Sequence, residues 1–335
     1  MSIVTDTSTG APSQTQETFR GEAIIRDYID RFSTWGKWGP DDELGAMNYV
    51  RPEQVIAASK LVRQGKVISM TLPYDLTGPQ VGGFRANPLN LMTATGTDYV
   101  NGDQDPLPAD WGQAYGFGYA DDVLIMPNQS GTQWDGLAHI FFEGKMYNGH
   151  DASLVTAKGA GRCGVEVLRE KLIMRGVLLD VARHHGVDAL EPGYAITPQD
   201  LDATVAAQGV EVRAGDAVIV RTGLLGARRG KWGDFSGGSA PGMSLHTAPW
   251  LAEHQVSAIA TDTWGVEVRP NEIELFQPLH IVALVHMGLL FGEIWDLEPI
   301  SADCADDGVY EFLLSAAVLP ITGACGGPLN ALAIK

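Results

Sequence analysis

The stretch RGVLLDVAR, residues 175–183, contains an apolar run that ends on an aspartate, and it decides the fold class. Similar apolar runs end on Arg221 in GDAVIVRTG (215–223) and on Asp262 in SAIATD (257–262). Short apolar runs bounded by glycine and polar residues predict buried strands, and here they alternate with segments of helical periodicity. This alternation predicts an α/β fold. The strands are expected over 122–127, 176–182, 216–222 and 256–262, and the helices over 166–174, 198–208 and 247–254.

The chain before residue 122 is less regular. The spacing of apolar residues predicts helices over 22–32 and 51–64 and a strand over 66–72. Residues 75–120 are rich in Gly, Pro, Asn and Asp and show little periodicity. A long segment of this kind is typically either mobile or a functional lid, and both interpretations stay open.

The composition indicates a globular protein that binds neither nucleic acid nor membrane. Residues 1–19 are polar and are expected to form a disordered tail, and residues 20–335 to form one domain. A formal net charge of −18 repels nucleic-acid phosphates and anionic lipids. No apolar stretch approaches the roughly 20 residues of a membrane-spanning helix. The three cysteines lack CxxC spacing, which indicates neither disulfides nor a thiolate zinc site, so a cytoplasmic location is expected.

The stretch SGTQWDGLAH, residues 130–139, contains candidate metal-binding and proton-transfer residues. A strand would place Gln133 and Asp135 on one face, and His139 follows after Gly136, where the chain is expected to turn. A carboxylate and an imidazole can bind a cation or transfer a proton, and the Gln133 amide adds a neutral oxygen ligand. The alternative is structural, with Asp135 forming a turn and His139 hydrogen-bonded in the core. The spacing alone leaves both interpretations open.

A second candidate segment is PLHIVALVHMGLLFGEIWDLEPI, residues 278–300. His280 and His286 are six residues apart, so the spacing of a HExxH zinc helix is absent. Glu293 follows a short apolar run and precedes further apolar residues, which predicts a buried carboxylate. A buried carboxylate without a cation or several hydrogen-bond donors is costly, and a metal ion would remove that cost.

Polar residues also end the other strand candidates: Asp180, Arg221, Thr222 and Asp262. Binding sites in open α/β sheets often lie beyond strand ends. An aspartate in that position more often caps the next turn or helix, so the structural role is favoured for each of these residues.

SGTQWDGLAH resembles the HxGTHxDxPxH signature of the cyclase family of metal-dependent hydrolases, which includes bacterial kynurenine formamidases, isatin hydrolases and trans-dienelactone hydrolase. WGPDDELGAMNYV (38–50), RGVLLDVAR, GDAVIVRTG, AIATDTWGVE (258–267) and PLHIVALVHMGLLFGEIWDLE extend the resemblance over nearly the whole folded chain. It implies a cyclase-family fold, with a mixed central sheet of the swivelling β/β/α type and flanking helices. It also implies a homo-oligomer.

The resemblance assigns roles to four residues. It implies that Asp135 binds metal, that His139 is a catalytic residue, and that His280 and Glu293 are the second pair of ligands, with Glu293 also counted as catalytic. Gln129 and Gln133 stand where formamidase-like members have two histidine ligands, and Leu137 replaces the signature proline. Because an amide is a poorer zinc ligand than an imidazole, we expect one divalent ion per chain, Zn²⁺ or Mn²⁺. Asp135, His280 and Glu293 would hold it, with Gln133 contributing directly or through water.

The expected function is hydrolysis of a small-molecule substrate. A divalent ion brings the pKa of bound water down toward about 7, and the resulting hydroxide would attack the carbonyl of a small lactone or cyclic amide. Hydrolysis of an aryl formamide is one alternative, and a catalytically inactive binding protein on the same fold is another. A serine hydrolase is not indicated, because no GxSxG motif is present. Trp134, Phe141 and Tyr147 are candidates for a substrate-binding wall, although such aromatic residues often fill the core instead.

Overall fold

A nine-stranded mixed sheet forms the centre of the computed structural model, which describes residues 18–82, 84–112 and 115–335. Residues 1–17 of the predicted tail lie outside the described residues. The strands are β1 Val67–Ser69, β2 Leu89–Ala94, β3 Asp121–Ile125, β4 Gln133–Asp135, β5 Val155–Thr156, β6 Gly159–Ala160, β7 Ile173–Asp180, β8 Ala195–Ile196, β9 Ala217–Arg221, β10 Gly242–Met243, β11 Ala258–Thr261, β12 Leu290–Glu293, β13 Glu311–Ser315, β14 Gly326–Pro328 and β15 Leu332–Ile334. The order in the large sheet is β1-β15-β13-β7-β9-β11-β12-β4-β14.

The helices flank this sheet. The α-helices are α1 Glu22–Phe32, α2 Pro52–Ser59, α3 Gly96–Asn101, α4 Val181–His184, α5 Pro198–Gln208, α6 Leu224–Arg228, α7 Ala248–Glu253 and α8 Glu298–Asp307. A π-helix spans His280–His286 and is buried along its whole length. Short 3₁₀ helices span Gly45–Tyr49, Ala109–Trp111, Tyr147–Gly149, Ala152–Leu154, Val165–Leu168 and Leu245–Thr247.

The middle of the sheet is parallel and its flanks are antiparallel. Strands β7, β9, β11 and β12 run parallel to one another. Strands β13, β15 and β1 extend the sheet antiparallel on one side, and β4 and β14 do so on the other. The parallel strands are almost wholly buried, as expected for apolar runs covered on both faces. The predicted α/β fold with a mixed sheet and flanking helices is confirmed.

Local sequence signals explain where the flanking helices begin and end. Thr197 and Asp200 form a capping box at the start of α5, in which Thr197 N–H donates to Asp200 Oδ2 at 2.8 Å. Pro198 occupies the first turn, where its missing N–H costs nothing. The helix ends at Gly209, which adopts the left-handed conformation with φ of 64°. The predicted bounds of this helix, 198–208, are confirmed.

One predicted element is wrong, and another lies outside the central sheet. The helix expected over 166–174 is only a 3₁₀ turn, because Leu172 has a φ of 65° and β7 begins at the next residue. The strand expected over 122–127 does exist, but it lies outside the central sheet. It is β3, which pairs with β2 as a separate two-stranded ribbon. All five residues of β3 are exposed, so this ribbon adds little to the core.

Strand-end polar residues have structural partners. Asp180 Oδ1 accepts a hydrogen bond from Arg221 Nη1 at 3.0 Å, and Arg221 also pairs with Glu298. Asp262 accepts hydrogen bonds from the backbone N–H groups of Thr222 and Gly223 at 2.8 and 2.7 Å. These groups therefore fix the connections after β7, β9 and β11. Among the described residues, no helix is both long and apolar enough to cross a membrane.

His286 is a buried imidazole that gives the fold a pH dependence. Its ring stacks on Trp35 at 4.6 Å, and neither ring nitrogen has a hydrogen-bond partner in the described part of the chain. Burial lowers the pKa of His286 to about 4, with Glu143 opposing the shift and Arg26 reinforcing it. Because the unfolded chain takes up a proton near pH 6.5, the stability due to the neutral imidazole is complete above that pH and is lost as the pH falls toward 4.

We expect His286→Phe to reduce the loss of stability in acid. Between pH 7 and pH 4, the free energy of unfolding of the wild-type protein should fall by up to about 3 kcal/mol more than that of the variant. Urea unfolding at several pH values measures this difference. His184→Gln, at an exposed histidine, is the matched control and should follow the wild-type profile. Parallel profiles for His286→Phe and wild type would contradict the assignment.

Candidate metal centre

The pairing of β4 with β12 brings two distant carboxylates together. The antiparallel register places Glu293 opposite Gln133 and Phe291 opposite Asp135. Because side chains alternate along a strand, Gln133, Asp135 and Glu293 lie on one face of the sheet. Trp134, which is opposite Gly292, lies on the other face. The segments 130–139 and 278–300 therefore contribute to one cluster.

The third group of this cluster, His280, is held by a carboxylate. Glu267 Oε1 lies 2.6 Å from His280 Nδ1 and accepts the His280 backbone N–H at 3.0 Å. The other oxygen of Glu267 accepts from the Leu279 N–H at 3.1 Å. These contacts fix the ring at the start of the π-helix, with Nε2 directed to Glu293 Oε1 at 3.4 Å. A π-helical turn at a functional residue is a common arrangement.

Asp135, His280 and Glu293 form a candidate site for a single cation. Their ligand atoms all lie within 4.8 Å of one another, and each residue is no more than 3% exposed. The Gln133 amide nitrogen donates to Asp135 Oδ1 at 3.2 Å and to Glu293 Oε2 at 2.8 Å. Its oxygen is buried and has no hydrogen-bond partner among the described residues. The nitrogen of Gln133, not the oxygen, thus faces the carboxylates, and direct ligation by Gln133 stays a prediction.

The electrostatics of the cluster agree with a cation site. Burial and the nearby charge of Asp135 raise the pKa of Glu293 to about 7, against the opposing effect of His280. Burial alone would lower the pKa of His280, but its hydrogen bonds to Glu267 and Glu293 outweigh this effect and raise it to about 10. The positive charge of His280 therefore does not balance the two buried carboxylates, Asp135 and Glu293. An imidazole with two carboxylates is a ligand set suited to Zn²⁺ or Mn²⁺, so the residues present fit such an ion.

His139 lies beside the cluster at the end of a tight turn. Its Nε2 is 3.7 Å from Asp135 Oδ1, and its side chain is 19% exposed. The turn depends on Gly136, whose N–H donates to the Cys325 carbonyl at 2.9 Å. A Cβ at position 136 would lie 2.8 Å from that oxygen, so a larger residue would displace the chain. Burial lowers the pKa of His139, which keeps the imidazole neutral and able to accept a proton at neutral pH.

A cavity of about 340 Å³ connects these groups to solvent. Its lining comprises Phe84, Arg85, Asp135, His139, Ile140, Trp264, Phe276, Gln277, His280 and Glu293. Aromatic rings thus face the acidic and imidazole groups across one space. A larger cleft of about 470 Å³ lies between α1 and α7, but its described lining has a single carboxylate and no histidine. The chemistry therefore belongs to the smaller cavity.

The aromatic residues predicted to bind substrate lie elsewhere. Trp134 is fully buried and donates its Nε1–H to the Ala316 carbonyl at 2.8 Å, on the core face of β4. Tyr147 is also fully buried, and its hydroxyl donates to Asp42 at 3.0 Å. Phe141 is 42% exposed, and its neighbour Ile140 lines the cavity instead. Trp134 and Tyr147 therefore have structural positions and Phe141 a peripheral one, which corrects the prediction that they bind substrate. Phe84, Trp264 and Phe276 form the aromatic wall of the cavity instead.

Sequence reasoning also missed Glu267 and Arg85. Glu267 follows Trp264 and Val266 in an otherwise apolar segment, and this isolated acid was a usable signal. Arg85 lies in the irregular segment 75–120, where no periodic pattern indicates which way its side chain points.

Comparison with known proteins identifies the family. The Cyclase family model matches residues 44–268, which include Asp135, His139 and Glu267. A solved structure described as a novel cyclase is 36% identical, covers 92% of this chain and 99% of its own, and superposes with a TM-score of 0.82. The chain belongs to the cyclase family.

More distant structures share the fold. Isatin hydrolase A from Labrenzia aggregata, bound to benzyl benzoate, is 18% identical, with 84% of this chain and 99% of that chain covered and a TM-score of 0.56. A protein from Bacillus stearothermophilus, described as a predicted metal-dependent hydrolase, is 17% identical. The match covers 80% of this chain and 97% of that chain, with a TM-score of 0.50. A comparison with curated proteins finds no match.

We expect Glu267→Gln to weaken binding of a divalent ion by about 10–100-fold, because the partner that orients a ligating histidine contributes that much to affinity. Titration with Zn²⁺ against a competing chelator measures the change. The exposed Glu274→Gln, whose side chain pairs with Arg20, is the matched control and should keep wild-type affinity. Unchanged affinity in Glu267→Gln would show that Glu267 does not position a ligand.

Proposed function

We propose that this chain is a metal-dependent hydrolase that opens a small lactone or cyclic amide. The observation that carries the proposal is the convergence of Asp135, His280 and Glu293 beside a neutral His139 in one cavity. Hydrolase-named proteins that share the fold support the reaction class by analogy.

Asp135, His280 and Glu293 would hold one divalent ion. Such an ion, when bound, lowers the pKa of a water molecule and polarises a carbonyl group. The chain's own contribution is to fix the three ligands rigidly. Glu267 orients His280, and the Gln133 amide holds both carboxylates in place. The burial of all three ligands also limits their contact with solvent to the cavity that they line.

His139 is placed to carry the proton of the reaction. Hydrolysis adds water to the acyl carbon and breaks the acyl C–O or C–N bond. The proton that water loses must reach the leaving oxygen or nitrogen. A neutral imidazole within the cavity, close to Asp135, can accept that proton and then donate it.

The shape of the cavity favours a small, flat substrate. Phe84, Trp264 and Phe276 present ring surfaces to a space of about 340 Å³, near the lower limit of small-molecule pockets. A lactone or cyclic amide fused to an aromatic ring would match these walls. An aryl formamide would match them as well, so hydrolysis of a formamide is the nearest rival activity.

The first test is a metal analysis combined with a substrate panel. We expect about one divalent transition metal per chain, and a chelator should remove metal and activity together. The metal-loaded protein should hydrolyse lactones or cyclic amides faster than aryl formamides. Glu293→Gln should bind metal weakly and lose at least about 100-fold in turnover, since even indirect ligand partners contribute up to that much. A metal-free chain with an intact fold would instead support a binding protein that lacks activity.

The second test concerns His139 alone. We expect His139→Gln to lower kcat by about 10²–10⁴-fold, because it removes the proton-transfer group. Metal content should stay at the wild-type value, since the ligand set remains. Measuring kcat and metal content on the same preparation separates these effects. A kcat within threefold of wild type would remove His139 from the reaction.

A further inference from the structure

Arg85 is the cationic side chain of the candidate active-site cavity. Among the described residues that line this space, it is the only lysine or arginine. It lies next to the Phe84 and Trp264 rings and shares the cavity with the two carboxylates and the two histidines. The guanidinium group of Arg85 and the cluster of acidic ligands thus face the same cavity.

The hydrogen-bonding capacity of Arg85 is largely unused. Its Nη1 donates to the Gln129 carbonyl at 3.2 Å, and this is its one hydrogen bond to the described part of the chain. No carboxylate among the described residues lies within ion-pair distance of it, although the chain carries 41 acidic residues. A guanidinium group has five N–H donors in a planar fork, which suits bidentate binding of a carboxylate.

The guanidinium group is nevertheless held in place. Its central carbon lies 5.4 Å from the Phe84 ring centroid and 5.6 Å from that of Trp264. Arg269 contacts the same wall, at 5.8 Å from Trp264 and 5.1 Å from Phe276. Stacking on aromatic faces orients an arginine without neutralising it. The aromatic wall therefore presents a fixed positive charge to any flat ligand that lies against it.

We propose that Arg85 binds an anionic carboxylate substituent of the substrate, which would then be a flat cyclic ester or amide that carries a carboxylate. This inference rests on the proposed hydrolase function. The carboxylate would pair with Arg85 at the aromatic end of the cavity, and the acyl group would lie at Asp135, His280 and Glu293. Arg85 is then a specificity residue, since it recognises a group that does not react.

The alternative role for Arg85 is to stabilise the oxyanion that forms on the reacting carbonyl. The two roles differ in their kinetics. An oxyanion donor affects every substrate through kcat. A carboxylate-binding residue affects only substrates that carry the carboxylate, mainly through KM.

Binding to the full chain as purified tests the charge preference without relying on turnover. The probes are benzoate and its neutral counterpart benzamide, measured by isothermal titration. We expect wild-type protein to prefer benzoate, and Arg85→Gln to reduce the ratio of the two affinities by about tenfold or more. Arg85→Lys should recover part of that ratio, because it restores the charge but not the planar fork. Arg169→Gln, at an exposed arginine, is the matched control.

Turnover of a matched pair tests the specificity role. The pair is phthalide, a flat neutral lactone, and phthalide with a carboxylate on its aromatic ring. In Arg85→Gln, the kcat/KM ratio of carboxylated to neutral lactone should fall by about tenfold, through KM. An equal loss of kcat for both lactones, or a wild-type protein without preference for benzoate, would overturn the inference. If benzoate preference depends on Arg85 while neither lactone nor any panel substrate is hydrolysed, the hydrolase proposal fails and the carboxylate site stands.

Discussion

The antiparallel register between β4 and β12 is the constraint on which the candidate site depends. It places Glu293 opposite Gln133, and it sets Asp135 two residues further along on the same face. A slip of β4 by one residue would turn Asp135 and Gln133 toward the core and Trp134 toward the cavity, while Glu293 on β12 would keep its orientation. Trp134 works against such a slip, because its indole packs against Trp295 at 4.9 Å and donates to the Ala316 carbonyl. Core packing on one face of β4 thus fixes the chemistry on the other.

This arrangement concentrates negative charge where water is scarce. Glu267, Glu293 and Asp135 are each no more than 3% exposed, and His280 is the basic group that contacts two of them. A fold selected only for stability would replace such a cluster with apolar side chains. The cluster is instead supported by backbone N–H donors to Glu267 and by the Gln133 amide. Hydrogen bonds that hold a buried group of like charges in place are typical of a functional site.

The sequence predicted the parts of the molecule that are governed by local pattern. The strands near 176–182, 216–222 and 256–262 and the helix 198–208 follow from apolar runs and caps, and all are present. The helix expected over 166–174 is absent because Leu172, which is fully buried, has a positive φ that helical periodicity does not predict. The aromatic wall also escaped prediction, because Phe84, Trp264 and Phe276 come from two distant loops that periodicity does not describe. Trp134 was misplaced because alternation on so short a strand leaves open which face is buried.

Gln129 and Gln133, the two amides at signature positions, have different contacts in the structure. Gln133 remains in the cluster, where its nitrogen donates to both carboxylates. Gln129 contributes its backbone carbonyl, which accepts a hydrogen bond from Arg85. At position 133 the side-chain amide thus holds the acidic ligands, whereas at position 129 the group that holds the guanidinium is the backbone carbonyl, which any residue would supply. Positive charge in the cavity is therefore divided between a single candidate ion site and Arg85. A substrate with a reacting carbonyl at one end and a carboxylate at the other matches that division of charge.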